Sequence, residues 1–175
     1  MKILLIVGSP RKANAYRLGK AMCGLLDKKN VETELIFLKD LDIEYCSGCN
    51  DYCSASGECC VEDDMQMLYH KLKEADAIII GTPTYFWNVS GLLKTFIDRT
   101  VPLYVAQDLK GKLGAAVAVS EVDGQNLAIS NISSFFHLHE MKEIGSVAIA
   151  RGRGKVKKKD MDLVEILAQK ILEEL

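Results

Sequence analysis

The chain has 175 residues, of which 49% are hydrophobic and 26% are charged, and its formal net charge is −2. This length and balance are typical of one ordinary domain with its own core, and they exclude a disordered, collagen-like or disulfide-scaffolded protein. The slightly acidic charge argues against a protein that coats nucleic acid or an anionic membrane.

The first element is an apolar run at residues 2–7, which leads directly into the turn residues Gly8, Ser9 and Pro10. No small-residue cleavage site follows this run, so it is typical of a buried strand and not of a signal peptide. No apolar stretch reaches the ~20 residues that a bilayer span needs. We therefore expect a cytoplasmic protein without membrane contact.

Short apolar runs and helical patterns then alternate along the chain. The apolar runs predict five strands, at residues 2–7, 31–38, 77–80, 113–119 and 144–150. Apolar residues at helical spacing predict helices that begin near Asn14, Met65, Ser90, Asn126 and Asp160. This alternation predicts an α/β fold: a doubly wound parallel sheet of flavodoxin-like order 2-1-3-4-5, in one domain over residues 1–175. A ligand is expected at the switch point between strands 1 and 3.

The loop after the first strand carries the residues of a phosphate site. Ser9 and Asn14 supply side-chain donors, Arg11 and Lys12 supply positive charge, and a helix begins immediately afterwards. A helix N-terminus presents free amides to an anion, so this loop predicts a phosphate cradle. The alternative is a polar turn in which Asn14 caps the helix.

The loop after the third strand concentrates aromatic residues. Residues 81–91 include Tyr85, Phe86 and the only tryptophan, Trp87. Exposed aromatic rings beside a phosphate site favour a flat ring ligand, although they also suit a cover for the sheet end or a subunit contact. The polar loop after the fourth strand begins at Ser120, which can hydrogen-bond the edge of a ligand.

A long loop after the second strand, at about residues 39–63, holds five of the six cysteines. Long loops in compact domains are usually functional. The compact spacing of Cys46, Cys49, Cys53 and Cys59 favours a [4Fe–4S] cluster. Structural zinc, and free or disulfide-forming thiols, are the alternatives, while Cys23, within the first helix, is typical of an inert buried cysteine.

Three motifs together resemble the NADPH-dependent FMN reductase superfamily, and more narrowly its iron–sulfur flavoprotein branch. These are GSPRK after the first strand, PTYFWNVSGLLKTFIDR after the third, and a cysteine loop that ends in GECCVEDDM. The resemblance covers about residues 2–150. It implies a flavodoxin-like fold, non-covalently bound FMN, NAD(P)H or a reduced carrier such as ferredoxin as electron donor, and assembly as a homodimer or homotetramer.

The resemblance also assigns roles to individual residues. It implies an FMN phosphate held by the residues of the first loop: Ser9, Arg11, Lys12 and Asn14. It implies an isoalloxazine ring that lies along the third loop: Pro83, Thr84, Tyr85, Phe86, Trp87 and Asn88. Asp98 and Arg99 fall at a helix end, where an ion pair or a cap is as good an interpretation as a ligand role.

Within the cysteine loop, the resemblance implies four cluster ligands: Cys46, Cys49, Cys53 and Cys59. Cys53 stands one position later than the branch pattern, and Cys60 is left as a spare or alternative ligand. After the fifth strand, a basic run at residues 151–159 is typical of a solvated turn. The functional alternative is that this basic run binds the 2′-phosphate of NADPH or an acidic redox partner.

The sequence therefore predicts an FMN-dependent oxidoreductase that passes electrons between NAD(P)H or a reduced carrier, FMN and a [4Fe–4S] cluster. The alternatives are a cluster-free NAD(P)H:FMN or quinone reductase, an electron carrier without a substrate of its own, and a zinc-stapled non-redox binding module. No acid–base or nucleophilic constellation is apparent, which agrees with a redox role.

Overall fold

The structure is a computed structural model that describes residues 1–27, 29, 31–151 and 154–175. Within these residues the strands form one parallel sheet of five, in the order β2-β1-β3-β4-β5. The strands are β1 (Lys2–Val7), β2 (Glu32–Phe37), β3 (Ala77–Pro83), β4 (Leu113–Ser120) and β5 (Lys142–Ala150). The predicted flavodoxin-like strand order is confirmed.

Burial along the strands follows from their position in the sheet. β1, β3 and β4 are buried along almost their whole length because helices cover both faces of the sheet, and their sequences are correspondingly apolar on both faces. β2 and β5 form the two edges and are more exposed. The alternating pattern that predicted a half-exposed edge strand at residues 31–38 is therefore confirmed.

Helices cover both faces of the sheet. They are α1 (Asn14–Asp27), α2 (Asn50–Ser56), α3 (Met65–Glu74), α4 (Gly91–Asp98), α5 (Val101–Val105), α6 (Gln125–Leu138) and α7 (Lys158–Glu174). Apolar residues of α1 and α7 form one core layer with one face of the sheet. Those of α3, α4 and α6 form a second layer on the opposite face. Among the described residues, no helix combines the length and apolar character that a membrane crossing requires.

Two short helices were missed by the sequence prediction. α2 lies inside the cysteine loop and ends at Gly57, whose positive φ of 69° lets its amide donate to the carbonyl of Cys53. α5 follows Arg99 and carries Pro102 in its first turn. Neither segment is long enough to show the apolar periodicity by which a helix is recognised in sequence.

The N-terminus of α4 is fixed to the end of β1. The hydroxyl of Ser90 caps α4 by accepting from the amide of Leu93 at 3.1 Å, and it donates to the carbonyl of Gly8 at 2.5 Å. A Cβ atom on Gly8 would lie 2.5 Å from the Cβ of Leu93, so only glycine permits this approach. The loop after β1 and the start of α4 are thereby held together.

Candidate functional site

A cavity of about 470 Å³ opens at the carboxyl ends of β1, β3 and β4, and we call it the switch-point cavity. Its volume lies in the usual range for small-molecule sites. Among the residues predicted for a ligand site, its lining includes Ser9, Arg11, Asn14, Pro83, Thr84, Tyr85 and Ser120. The lining does not include Lys12, Phe86, Trp87 or Asn88. The structure therefore gathers parts of three separate predicted loops around one space.

The first turn of α1 supplies hydrogen-bond donors beside this cavity. Within the described residues, the amides of Asn14, Ala15 and Tyr16 donate to no acceptor. The hydroxyl of Ser9 donates to the carbonyl of Arg11 at 2.7 Å, which shapes the loop that leads into the helix. Free amides and the positive end of the helix dipole make this turn suited to an anion.

Lys12 of the predicted phosphate loop contacts residues outside the switch-point cavity. The ammonium of Lys12 lies 3.5 Å from the carboxylate of Asp40 and over the rings of Tyr16 and Phe37. The side chain of Lys12 therefore interacts with the end of β2, and the residue is not among those that line the switch-point cavity.

Asn14 connects α1 to a distant segment of the chain. Its amide group donates to the carbonyl of Gly154 at 2.8 Å, and its side-chain oxygen accepts from the amide of Val156 at 3.3 Å. Asn14 is the first residue of α1, and these bonds occupy its side chain, so the alternative of Asn14 as a helix cap is wrong.

The sequence analysis missed Arg17 as a lining residue of the switch-point cavity, and it left the role of Lys155 open. Arg17 follows Asn14 by three residues and so shares its side of the first helical turn, a spacing that could have revealed it. Lys155 belongs to the basic run, in which Arg151 forms an ion pair with Asp160, while Arg153 lies outside the described residues. Arg11, Arg17 and Lys155 therefore place three cationic side chains around the switch-point cavity.

The aromatic loop after β3 is a tight turn. The amides and carbonyls of Tyr85 and Asn88 pair reciprocally at 3.0 Å. The two residues between them, Phe86 and Trp87, have positive φ values of 46° and 57°. Left-handed conformations of bulky residues are strained, and such strain is concentrated at functional sites.

The two central residues of this turn are exposed. The side chain of Phe86 is 97% exposed and that of Trp87 is 54% exposed. Within the described part of the chain, the amides of these two residues donate to no acceptor. Trp87 packs against the loop after β4, since a Cβ atom on Gly124 would lie 2.7 Å from its ring. The turn is therefore anchored while its donors remain available.

One buried polar atom at the switch-point cavity lacks a partner. The hydroxyl oxygen of Thr84 is buried, and it forms no hydrogen bond with the described residues. The backbone of Thr84 is fixed by the bond from its amide to the carbonyl of Val119 at 2.8 Å. Buried polar atoms are nearly always paired in proteins, so this hydroxyl is poised for a ligand atom.

The cysteine loop, residues 39–63, brings its predicted ligands to a second place. Cys46, Cys49, Cys53 and Cys59 all line one small cavity of about 10 Å³, which we call the cysteine cavity. Within the described residues, no three or more of its potential ligands are arranged to hold a metal ion. The two cavities share no lining residue. The structure therefore gathers the four predicted thiols around one small space.

The thiols of this loop differ in their environments. Burial, followed by hydrogen bonding with Cys49, raises the pKa of Cys53 to about 11. Hydrogen bonds from Ser47 and Cys60 lower the pKa of Cys49. The sulfur atoms of Cys49 and Cys60 lie 3.4 Å apart. Cys60, the cysteine outside the predicted ligand set of this loop, is therefore in contact with a member of that set.

A buried ion pair closes the cysteine loop. The guanidinium of Arg99, which is 1% exposed, donates to both carboxylate oxygens of Asp63, at 2.5 and 3.0 Å. It also donates to the carbonyls of Glu44 at 2.8 Å and Val61 at 3.3 Å. Asp63 in turn accepts from the amides of Glu44 and Met65. One side chain therefore joins both ends of the segment that carries the cysteines.

The charges of this pair stabilise each other. Burial alone would raise the pKa of Asp63, but hydrogen bonds from Arg99 and from two amides outweigh it and lower the pKa. The Nε atom of Arg99 is buried without a hydrogen-bond partner among the described residues, and Arg99 lines the cysteine cavity. Asp98 instead pairs with Lys94 at the surface. Asp98 and Arg99 thus form ion pairs with different partners, and Arg99 is also the C-cap residue of α4.

Comparison with known proteins identifies relatives of the chain. The family model described as NADPH-dependent FMN reductase matches residues 1–155. An iron–sulfur flavoprotein of Methanocaldococcus jannaschii is 40% identical over 148 residues, which are 83% of this chain and 76% of that protein. An iron–sulfur flavoprotein of Methanosarcina thermophila is 35% identical over 149 residues, 83% of this chain and 78% of that protein.

A solved structure supports the fold. An archaeal flavodoxin superimposes with a TM-score of 0.68 at 21% identity, and the match covers 99% of this chain and 98% of the flavodoxin. At that identity the likeness concerns the fold alone.

Replacement of Asp63 by asparagine should destabilise the protein by about 3–5 kcal/mol, because it leaves the buried guanidinium of Arg99 uncompensated. Urea denaturation followed by circular dichroism measures this change. The pKa of Asp63 is lowered in the folded protein. The contribution of its charge is therefore present above the usual carboxyl pKa of about 4 and is lost as the pH falls through the lowered value.

The exposed pair between Lys94 and Asp98 provides the control. Lys94→Ala should change the free energy of unfolding by less than about 0.5 kcal/mol. Equal effects of the two substitutions would contradict the structural role of Asp63. A loss of stability in the Asp63→Asn variant that stays the same at acid pH would also contradict it.

Proposed function

The chain belongs to the NADPH-dependent FMN reductase family and is an FMN-dependent oxidoreductase, and we propose that residues 1–175 act as one FMN-binding domain fed by NAD(P)H or a reduced carrier. One observation carries the assignment of the site. A cavity at the switch point combines the free amides of the first turn of α1 with the buried, unpartnered hydroxyl of Thr84. This combination suits a ligand with a phosphate at one end and a polar ring at the other.

In this proposal the FMN phosphate is held by Ser9, Arg11, Lys12 and Asn14 together with the first amides of α1. The guanidinium of Arg11, which lines the cavity, and the first amides of α1, which donate to no acceptor among the described residues, are the direct donors. Asn14 acts by holding the segment that carries Lys155 against the cavity. Lys12 contributes positive charge from outside the cavity lining, where its exposed ammonium lies 3.5 Å from the carboxylate of Asp40.

The isoalloxazine ring is proposed to lie along the turn after β3, against Pro83, Thr84, Tyr85, Phe86, Trp87 and Asn88, with Ser120 at its edge. The hydroxyl of Thr84 and the amides of Phe86 and Trp87 are free to hydrogen-bond the ring. The reciprocal backbone hydrogen bonds between Tyr85 and Asn88 hold the turn, and with it these amides, in place before a ligand arrives. The side chains of this turn orient the ring and shield it from water.

FMN supplies two-electron acceptance from a pyridine nucleotide and one-electron transfer onward, and the protein supplies orientation and electrostatics. The positive charges of Arg11, Arg17 and Lys155 balance the phosphate.

We further propose that Cys46, Cys49, Cys53 and Cys59 hold a [4Fe–4S] cluster. Four thiols on one short loop match the donor set of such a cluster, and all four line the same cavity. The unpartnered Nε of Arg99 offers a hydrogen bond to the negatively charged sulfurs. Because the cysteine cavity has a volume of only about 10 Å³, uptake of a cluster requires the thiols to move apart.

The exposed rings of Phe86 and Trp87 support assembly as a homodimer or homotetramer, since large exposed aromatic side chains are common in subunit contacts. A redox partner, either a small molecule or a protein such as ferredoxin, completes the proposed electron path. No nucleic acid is involved in it.

Two substitutions separate the phosphate site from the ring site. Arg17→Ala should weaken FMN binding about tenfold, because a charge-assisted contact to the phosphate is lost, and it should leave riboflavin affinity unchanged. Thr84→Val should lower the affinity for both FMN and riboflavin about fivefold, since the hydroxyl of Thr84 is proposed to contact the ring. Quenching of flavin fluorescence during titration of the apoprotein measures each affinity.

Lys20→Ala is the matched control, because Lys20 is exposed on α1 but does not line the cavity. A loss of riboflavin affinity in the Arg17 variant equal to its loss of FMN affinity would argue against the proposed position of the phosphate.

Replacing Cys53 by serine should abolish iron binding and leave FMN bound, because the two cavities share no residue. The measurement is anaerobic absorption spectroscopy together with iron, sulfide and zinc analysis. Cys23→Ser in α1 is the control and should retain iron. Wild-type protein with FMN but no iron would instead be a cluster-free FMN reductase. A colourless protein with zinc would overturn the redox assignment.

The donor is tested by mixing the FMN-loaded protein anaerobically with NADPH, NADH or reduced ferredoxin. We expect a pyridine nucleotide to bleach the flavin absorbance within the time of steady-state turnover. Bleaching by reduced ferredoxin alone would show an electron carrier without pyridine-nucleotide activity.

A further inference from the structure

Cys60 has a sulfur contact that the proposed cluster does not use. Its Sγ atom lies 3.4 Å from that of Cys49, eleven residues earlier in the chain. Cys60 is exposed and Cys49 is half-buried, so a small thiol reagent can reach the pair. By contrast, Cys53 and Cys59 are buried. The contact therefore joins a proposed ligand to an accessible thiol outside the ligand set.

The geometry allows this contact to become a bond. A disulfide has an S–S length of about 2.0 Å, so the two sulfurs need to approach by about 1.4 Å. Cys60 lies in the irregular segment between the end of α2 at Ser56 and the start of α3 at Met65. Cys60 itself belongs to no helix or strand, whereas the carbonyls of its neighbours Cys59 and Val61 are bound by the side chain of Gln66 in α3. A shift confined to Cys60 therefore leaves the regular elements in place.

We propose that Cys49 and Cys60 form a reversible disulfide that withholds Cys49 from iron and so gates the loading of the cysteine cavity. The gating rests on the proposed cluster site, whereas the disulfide itself rests only on the sulfur contact. Disulfides in reducing compartments are usually transient and redox-sensing, which agrees with a regulatory pair.

The oxidant is a low-molecular-weight disulfide of the glutathione class, which reacts with the two protein thiols by thiol–disulfide exchange. The Cys49 thiolate attacks one sulfur of this disulfide, which forms a mixed disulfide and releases one thiolate. The Cys60 thiolate then attacks the Cys49 sulfur and releases the second. Two protein thiols lose two electrons, the reagent gains them, and the two protons pass to the two released thiolates.

The test uses the full-length FMN-loaded protein after anaerobic removal of iron with a chelator. The protein is equilibrated in glutathione buffers from reduced to oxidised and alkylated, and its cysteine peptides are mapped by mass spectrometry. We expect oxidation to remove two alkylatable thiols and to yield one linked peptide that joins Cys49 to Cys60. Ferrous iron and sulfide are then added to each sample, and bound iron is measured.

Oxidised wild-type protein should take up no iron until dithiothreitol is added. Cys60→Ser should load iron equally from both buffers, and Cys23→Ser should behave as wild type. A linked peptide between any other two cysteines, or thiols that remain alkylatable in the oxidised buffer, would overturn the proposal. Loss of uptake in oxidised Cys60→Ser would overturn the gating. If even reduced protein binds no iron, the cluster and the gating both fail, and the peptide map alone decides the disulfide.

Discussion

The ion pair between Arg99 and Asp63 is the contact on which the arrangement of the cysteine loop depends. It is almost fully buried, and its guanidinium also binds the carbonyls of Glu44 and Val61, on either side of the cysteines. A buried pair gains little net stability over apolar packing, because both charges lose their hydration. We therefore attribute its value to position: it brings together two chain segments that flank a loop with few apolar side chains of its own.

Helix α4 connects this clamp to the end of the molecule that carries the switch-point cavity. Its first turn is joined to β1 through the bonds of Ser90 with Gly8 and Leu93, and Arg99 follows directly after its last residue. Eight helical residues span about 12 Å. The switch-point cavity and the cysteine cavity are thus held at opposite ends of one short, rigid helix. A substitution at one site therefore leaves the immediate contacts of the other site in place.

The strand order and the location of the switch-point cavity could be predicted because their causes are local. Two-sided apolar runs mark central strands, and parallel strands place their following loops at one edge of the sheet. The contacts of Asn14 and Arg99 could not be predicted in this way. Asn14 binds residues 154 and 156, and Arg99 binds residue 63, so both depend on tertiary distances that no sequence period encodes. The same reason explains why the contact between Cys49 and Cys60 was not foreseen.

The separation of the cavities has a consequence for what the cysteine loop can bind. The sheet, its two core layers and the switch-point cavity are formed by residues outside the cysteine cavity, apart from Cys59, which is buried in one core layer, and Val61, which packs against that layer. Most of the fold therefore does not depend on the state of the thiols. With its ends closed by Arg99 and Asp63, the loop can hold a cluster, a disulfide or free thiols while the same backbone continues to present the switch-point cavity. A clamp formed by an ion pair achieves this because, unlike a clamp formed by the cysteines themselves, it leaves every thiol available for redox chemistry.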